Sequence, residues 1–448
     1  MTPAGTGTAW RGGWADGLRY GALGLPLAFV ALPLYVILPN HYATAFGVPL
    51  AALGLLLLGA RLFDAVTDPW IGVLADRWFE HSPARIFAAA MIAALALAAG
   101  FRLLFFPPVE GTAALLAWCG ALLAVTYFAY SVLAVIHQAW GARLGGGAAQ
   151  RARIVSWREA LALVGVLVAS VLPSVAGLGV ASIVFALLLA VGVALLARAP
   201  RPLPRPRAPG LPRFAPLATP AFRGLLAIYL VNGIASAVPA TLVLFFIRDR
   251  LQAQAFEPLF LASYFAAGAL SMPLWVRLVG RFGLARCWLA GMALAIAAFV
   301  WAALLGPGDV AAYALVCLAS GFALGADLAL PGALLAGVIQ RAGHGGQLEG
   351  AYFGWWNFAT KLNLALAAGL ALPLLAWFGY APGSTEPQAL RALTIAYCLL
   401  PCVLKLGAMA LLWRRWIHHP HGRADDLPAA AVPAAPAAAG ALPPEPSR

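Results

Sequence analysis

The sequence predicts an all-α membrane protein that crosses the bilayer twelve times, in two groups of six helices. Three observations predict it. Of its 448 residues, 63% are hydrophobic and only 10% charged, whereas globular chains run near a quarter charged. Long charge-free stretches recur between short polar breaks, giving a mean hydropathy of +0.87. One break, at 198–221, is rich in proline and arginine and falls mid-chain. Helices are the expected element because each satisfies its own backbone polar groups in a solvent that offers no partners.

In chain order the expected spans are 18–39, 48–75, 84–105, 112–140, 152–173, 178–197, 222–247, 256–276, 285–305, 310–335, 350–378 and 390–413. Each has about the 20 residues needed to cross a hydrocarbon core of roughly 30 Å. Prolines within them, such as Pro26, Pro69, Pro239, Pro331 and Pro373, mark bends, tolerated where neighbouring groups restore the lost hydrogen bonds.

The net charge of +13 is distributed unevenly. Arg11, Arg19, Arg77, Arg85, Arg143, Arg151, Arg153, the arginines of 198–223, Arg277, Arg281, Arg286, Arg341, Arg414 and Arg415 fall on one side. Mainly Arg102, Arg248, Arg250 and Arg391 fall on the other. Short cytoplasmic loops hold the basic excess, so both termini are expected in the cytoplasm of a multi-pass cell-membrane protein, the bacterial inner membrane being the expected location. The implied units are a six-helix bundle at 1–197, a cytoplasmic linker at 198–221, a second bundle at 222–415 and a disordered tail at 416–448.

Other classes are excluded. The five cysteines lie in apolar runs without metal or haem spacing and read as small core residues. Neither a P-loop, a serine nucleophile elbow nor zinc-spaced histidines are present. No enzymatic activity, cofactor or nucleic-acid partner is therefore expected. The expected partners are membrane lipids and a small solute, and the expected state is a monomer. His418, His419 and His421 read as a loose polar tail.

Polar residues inside apolar spans carry the functional signal, because burying a charge at mid-bilayer costs at least about 2.5–3.5 kcal/mol. In the second span, RLFDAVTDPWIGVLADR, Arg61, Asp64 and Asp68 share one helical face. Two carboxylates on one stripe repel unless a cation, proton or basic partner lies between them. Asp64 and Asp68 are thus a candidate Na⁺ or H⁺ site, with Thr67 able to add a hydroxyl; structural pairing with arginine is the other reading. Asp76 and Arg77, with Arg61, are candidates for a gating ion-pair network. Lys361, one of two lysines in the chain, is a candidate partner of the acids, since an ammonium changes partners or deprotonates more readily than a guanidinium. Arg158 and Glu159 are adjacent and expected on different sides of their helix. Arg158 reads equally as a solute ligand or a snorkelling interfacial arginine. Tyr352, Phe353, Trp355 and Trp356 read equally as cavity lining or packing. His137 reads as a packing residue. Asp327 is a second deep acid, facing either Lys405 or a cavity.

YGALG at 20–24, RLFDAVTDPWIG at 61–72, SWREA at 156–160 and YFGWWNFATK at 352–361 together resemble the glycoside–pentoside–hexuronide:cation symporter family, the melibiose-permease branch of the major facilitator superfamily. The resemblance covers nearly all of residues 18–415. It implies the major facilitator fold, two six-helix bundles with alternating access, and coupling of a sugar-like solute to Na⁺ or H⁺. It also implies cation-binding roles for Asp64 and Asp68, with Thr67 where an amide side chain stands in relatives, and polar roles for Lys361 and Arg158. Departures fall on the expected substrate face, which comprises Ala28, Ser131, Val135, Arg158, Tyr352 and Trp356. Ala28 and Ser131 stand where relatives have acids, Val135 where they have a tryptophan, and Gly337 where many have an acid. A sugar or sugar derivative is one expectation for the solute. An amphipathic or lipid-like solute, proton-driven export of hydrophobic compounds, and a nontransporting scaffold or sensor are the alternatives.

Overall fold

The computed structural model describes residues 10–202, 212, 215–381 and 383–418. The tail at 419–448, with His419 and His421, and most of the expected linker lie outside the described residues. Eleven long helices follow one another: α1 (Trp14–Ala45), α2 (Leu50–His81), α3 (Pro83–Phe105), α4 (Thr112–Arg143), α5 (Ala148–Ala197), α6 (Pro220–Arg250), α7 (Glu257–Phe282), α8 (Leu284–Ala302), α9 (Val310–Arg341), α10 (Glu349–Trp377) and α11 (Pro387–Ile417).

Helix α5 is 50 residues long, which at 1.5 Å per residue would reach about 75 Å if straight. It is not straight. Gly177 has φ 80° and ψ 163°, a backbone state open to glycine but strained for other residues, and the chain turns there into a second crossing. Counting both arms of α5, the eleven long helices among the described residues give twelve segments, the number the sequence predicts. Nine helical segments among the described residues have the length and hydropathy to span a membrane. The other two long helices, α2 and α10, carry Asp64, Asp68 and Lys361.

Large apolar side chains face outward, as for Leu270 at 80% and Val175 at 78% exposure. In water such a surface would aggregate; in lipid it costs nothing. Inside, one apolar core is built entirely from residues between Tyr20 and Ala199. Two further cores are centred on the second half, one at the arginine-rich end around Trp288, Leu334 and Trp416, which also takes in Ala142, Ala152 and Val155 of the first half, the other at the opposite end around Phe246, Tyr313 and Tyr397. All five cysteines are buried and free.

The halves meet mainly through α2 against α10 and α5 against α7 and α9. Small residues set the first of these contacts. A Cβ on Gly72 would fall 2.2 Å from the Gly350 carbonyl oxygen, and one on Gly350 would fall 2.3 Å from that of Gly72. One on Gly354 would lie 2.5 Å from the Asp68 carbonyl. The two helices thus touch backbone to backbone, the mode of association that small residues permit in lipid.

Helices α2 and α9 run six residues past the expected spans ending at 75 and 335, to His81 and Arg341. In the α2 extension Asp76 is held by Arg143 and by two backbone amides of α10, so the helix continues past the apolar run.

Replacing Gly72 by valine should therefore separate α2 from α10. A cysteine placed at Ala351, buried in the parent, should become accessible to a membrane-impermeant maleimide. Unchanged labelling would show that the contact tolerates a side chain.

Candidate functional site

The Gly72–Gly350 and Asp68–Gly354 contacts run α2 and α10 antiparallel, so the register delivers Lys361 to the two acids. Its Nζ lies 2.6 Å from Asp64 Oδ1 and 2.7 Å from Asp68 Oδ2. It donates to Ser131 Oγ at 2.9 Å and to the Asp64 carbonyl at 3.2 Å. Ser131 in turn donates to Asp64 Oδ1 at 2.9 Å. Asp64, Asp68 and Ser131 are at most 2% exposed, so little solvent screens the group. Through Asp68 Oδ2 the same ammonium reaches the second acid, so one cation spans both carboxylates. Two acids face one ammonium in a cage of four oxygens.

A second ionic group joins the halves at the arginine-rich end. Asp76, buried on α2, accepts from Gly350 N at 2.7 Å and Ala351 N at 2.8 Å. These are first-turn amides of α10, left without intrahelical partners by helix geometry, so a carboxylate from one half caps a helix of the other. Arg143 of α4 holds Asp76 at 2.8 Å, Glu349 at 3.2 Å and the Gly346 carbonyl at 2.7 Å. Its guanidinium lies 4.2 Å from the Phe79 ring centroid.

A third polar group lies within the second half. Lys405 meets Asp327 Oδ2 at 2.6 Å and donates to Asn232 Oδ1 at 2.9 Å. Trp288 Nε1 and Asn232 Nδ2 donate to Asp327 Oδ1 at 2.9 and 3.2 Å. Asp327, left open between Lys405 and a cavity, does both.

Several expected site residues lie elsewhere. The Thr67 hydroxyl is turned to its own helix, donating to the Asp64 carbonyl at 3.1 Å. Arg61 is exposed, over the Tyr35 ring at 4.6 Å, and Arg77 is exposed; Arg143 and Glu349 accompany Asp76 instead. Arg158 and Glu159, expected on different sides of α5, form an ion pair, with Nε donating at 2.9 Å. Long side chains from adjacent positions can curl together where no water competes. Val135 is fully buried in the first-half core. Tyr352 lies at the arginine-rich end, bonded to Thr219 Oγ1 at 2.9 Å and His344 Nδ1 at 2.8 Å. Burial holds His344 below the usual imidazole range, so it meets Tyr352 uncharged at neutral pH. Trp356 stacks on Tyr229 with centroids 3.8 Å apart. Ala28 is half-buried on α1, and Ser131 belongs to the acid cluster. His137 is a packing residue, its Nε2 2.7 Å from the Tyr20 carbonyl. Arg143, Glu349, Tyr229 and Asn232 escaped the sequence reading; a basic residue at a helix end and an acid opening the next helix were the available signals.

Removing one partner of a buried ion group costs about 3–5 kcal/mol. Lys361→Met should destabilise the protein by about that amount, and adding Asp64→Asn and Asp68→Asn should restore much of it. Reversible unfolding in mixed micelles measures both; a Lys361→Met variant as stable as the parent would sink the assignment.

Comparisons with known proteins fit this architecture. Residues 19–418 match the family described as "MFS/sugar transport protein". The inner membrane symporter YicJ of Escherichia coli K12 is 27% identical over 135 residues. That match spans 29% of this chain and 28% of the relative. Among solved structures, a bacterial homologue of the iron transporter ferroportin in an outward-facing state aligns with TM-score 0.65 and 13% identity, over 90% of this chain and 99% of that one. FucP in the outward conformation, from a transporter described for E. coli, gives 0.63 and 16% over 89% and 99%. The human organic anion transporter MFSD10 gives 0.61 and 18% over 89% and 98%. At these identities the structures show the fold, and the family match gives the kinship. The chain belongs to the MFS/sugar transport protein family, and its fold is that of the major facilitator structures with which it aligns.

Proposed function

We propose that the protein is a cation-coupled symporter of the glycoside–pentoside–hexuronide:cation type, moving a small solute together with Na⁺ or H⁺. One observation carries the reading: Asp64 and Asp68 face the single ammonium of Lys361. With both acids ionised the group holds one uncompensated negative charge, which is costly in a buried site. A proton or a small cation removes that charge. Asp64 Oδ1, Asp68 Oδ2, Ser131 Oγ and the Asp64 carbonyl already surround a tethered cation, and oxygen ligands suit a hard ion. Lys361 is then the competitor that an entering cation displaces. Because α2 and α10 belong to different halves, that exchange alters the attraction between them, which is how a bound ion biases the two states of an alternating-access protein.

In this reading the halves 1–197 and 222–415 rock about the central site, joined by 198–221, with the arginine-rich end and both termini in the cytoplasm. The Asp76–Arg143–Glu349 group is the inner gate, and the protein works as a monomer. The solute is a sugar or sugar derivative. A second reading, an amphipathic solute, is favoured by one observation. Ser131 is engaged with Lys361, Arg158 with Glu159, and Val135 lies in the core, so few of the expected contacts remain free for hydroxyls.

Proteoliposomes screened with neutral disaccharides, sugar acids and amphipathic solutes under imposed Na⁺ or H⁺ gradients test the proposal. Gradient-driven uptake is expected in the parent. In Asp68→Asn one acid faces one ammonium, so uptake should persist downhill but lose its gradient dependence. Uptake of every transported solute that ignores both gradients in the parent would falsify the coupling.

A further inference from the structure

Between the two apolar cores of the second half lies a cavity of about 350 Å³, within the range of small-molecule sites. Helices α6, α7, α8, α9 and α11 supply most of it, with Phe260, Tyr264, Phe299 and Tyr313 in its walls and Asp327 and Lys405 at its foot. It shares no residue with the Asp64–Asp68–Lys361 cluster.

The chemistry of the foot restricts what can bind. Lys405 directs its ammonium to Asp327, Asn232 and Ser236. Asp327 receives Lys405, Trp288 and Asn232. One positive charge meets one negative charge, and their hydrogen bonds are made within the protein. A charged head group would find no unmatched partner there and would pay for its desolvation. In the walls, Ser320 donates to the Val316 carbonyl, and Tyr313 and Tyr397 bond each other at 2.6 Å. Tyr264 takes part in neither arrangement and lines the cavity, leaving its hydroxyl for an occupant. The remaining wall is largely aromatic and aliphatic, and left empty it forfeits dispersion contacts.

We propose that this cavity binds an uncharged, largely apolar molecule with one hydrogen-bonding group, its apolar body among the aromatic rings and its polar group at Tyr264. Leu163 of α5 reaches across from the first half to complete the wall, close to Gly268 of α7. Since α5 and α7 belong to different halves, an occupant stabilises the relative position of the halves in which Leu163 closes the site. The site stands whether or not the acid cluster couples a cation.

The test uses the full chain in lipid nanodiscs and photolabelling with a diazirine-bearing octanol, its adducts mapped by peptide mass spectrometry. Labelling should concentrate on peptides carrying Phe260, Tyr264 and Phe299 and be lost on adding excess octanol. Ala240→Trp, at a wall position, should abolish it. Tyr264→Phe should weaken octanol competition by about threefold to tenfold, the worth of one hydrogen bond. Leu55→Ala, at an exposed position of α2, should label like the parent and serves as the surface control. Size-exclusion profiles establish folding, and if Ala240→Trp fails that check, Ser320→Leu and Tyr264→Phe decide. Adducts spread over lipid-facing positions such as Leu270 and unmoved by these variants would overturn the proposal. So would stronger labelling by the matching diazirine-bearing octanoate.

Discussion

Two carboxylates held against one ammonium between the halves are the constraint on which this molecule turns. Lipid gives no solvation to Asp64 or Asp68, so they must face inward, and that fixes the rotation of α2. Lys361 must reach them, and that fixes the rotation and depth of α10. Gly72, Gly350 and Gly354 then follow as conditions of approach, because a Cβ at any of them would strike the facing backbone. The glycines position the helices, and the charges supply the attraction that keeps them together.

The same helix pair bears a second attachment at its arginine-rich end. There Asp76 satisfies two orphan amides of α10 while Arg143 bridges it to Glu349. The two attachments differ in kind. At the helix end Asp76 accepts from two backbone amides of α10 besides Arg143. At mid-membrane Asp64 and Asp68 meet α10 through the Lys361 ammonium. One attachment is therefore made to backbone, the other through a single long side chain.

Much of this was legible in the sequence. The twelve crossings follow from apolar length, and the pairing of Lys361 with the two acids follows from the cost of burying each of them alone. What was not legible depended on rotation and reach. Val135 differs from a cavity-lining residue only by which way its helix face turns, and hydropathy is blind to that in a helix that is apolar all round. Tyr352 was placed centrally because it lies near Lys361 in sequence. Nine residues of helix separate them, about 13 Å of rise, enough to move the ring from the centre to the end. Arg158 and Glu159 show the opposite error: neighbouring positions diverge at Cβ, yet long side chains reconverge. Arg143 and Glu349 lie 206 positions apart, and nothing local to either announces the other.

The contrast between the two buried lysines completes the physical picture. Lys405 faces Asp327 with amide, hydroxyl and indole partners, a balanced set contained within one half. It can hold α6, α9 and α11 together through any motion of the halves, because no member crosses between them. Lys361 faces two acids, and its partners come from the other half. A group balanced within one half adds cohesion to that half alone, whereas a group of two acids and one ammonium shared between the halves ties one to the other. Breaking Lys405 from Asp327 would loosen the second half; breaking Lys361 from its acids would loosen the junction between the halves.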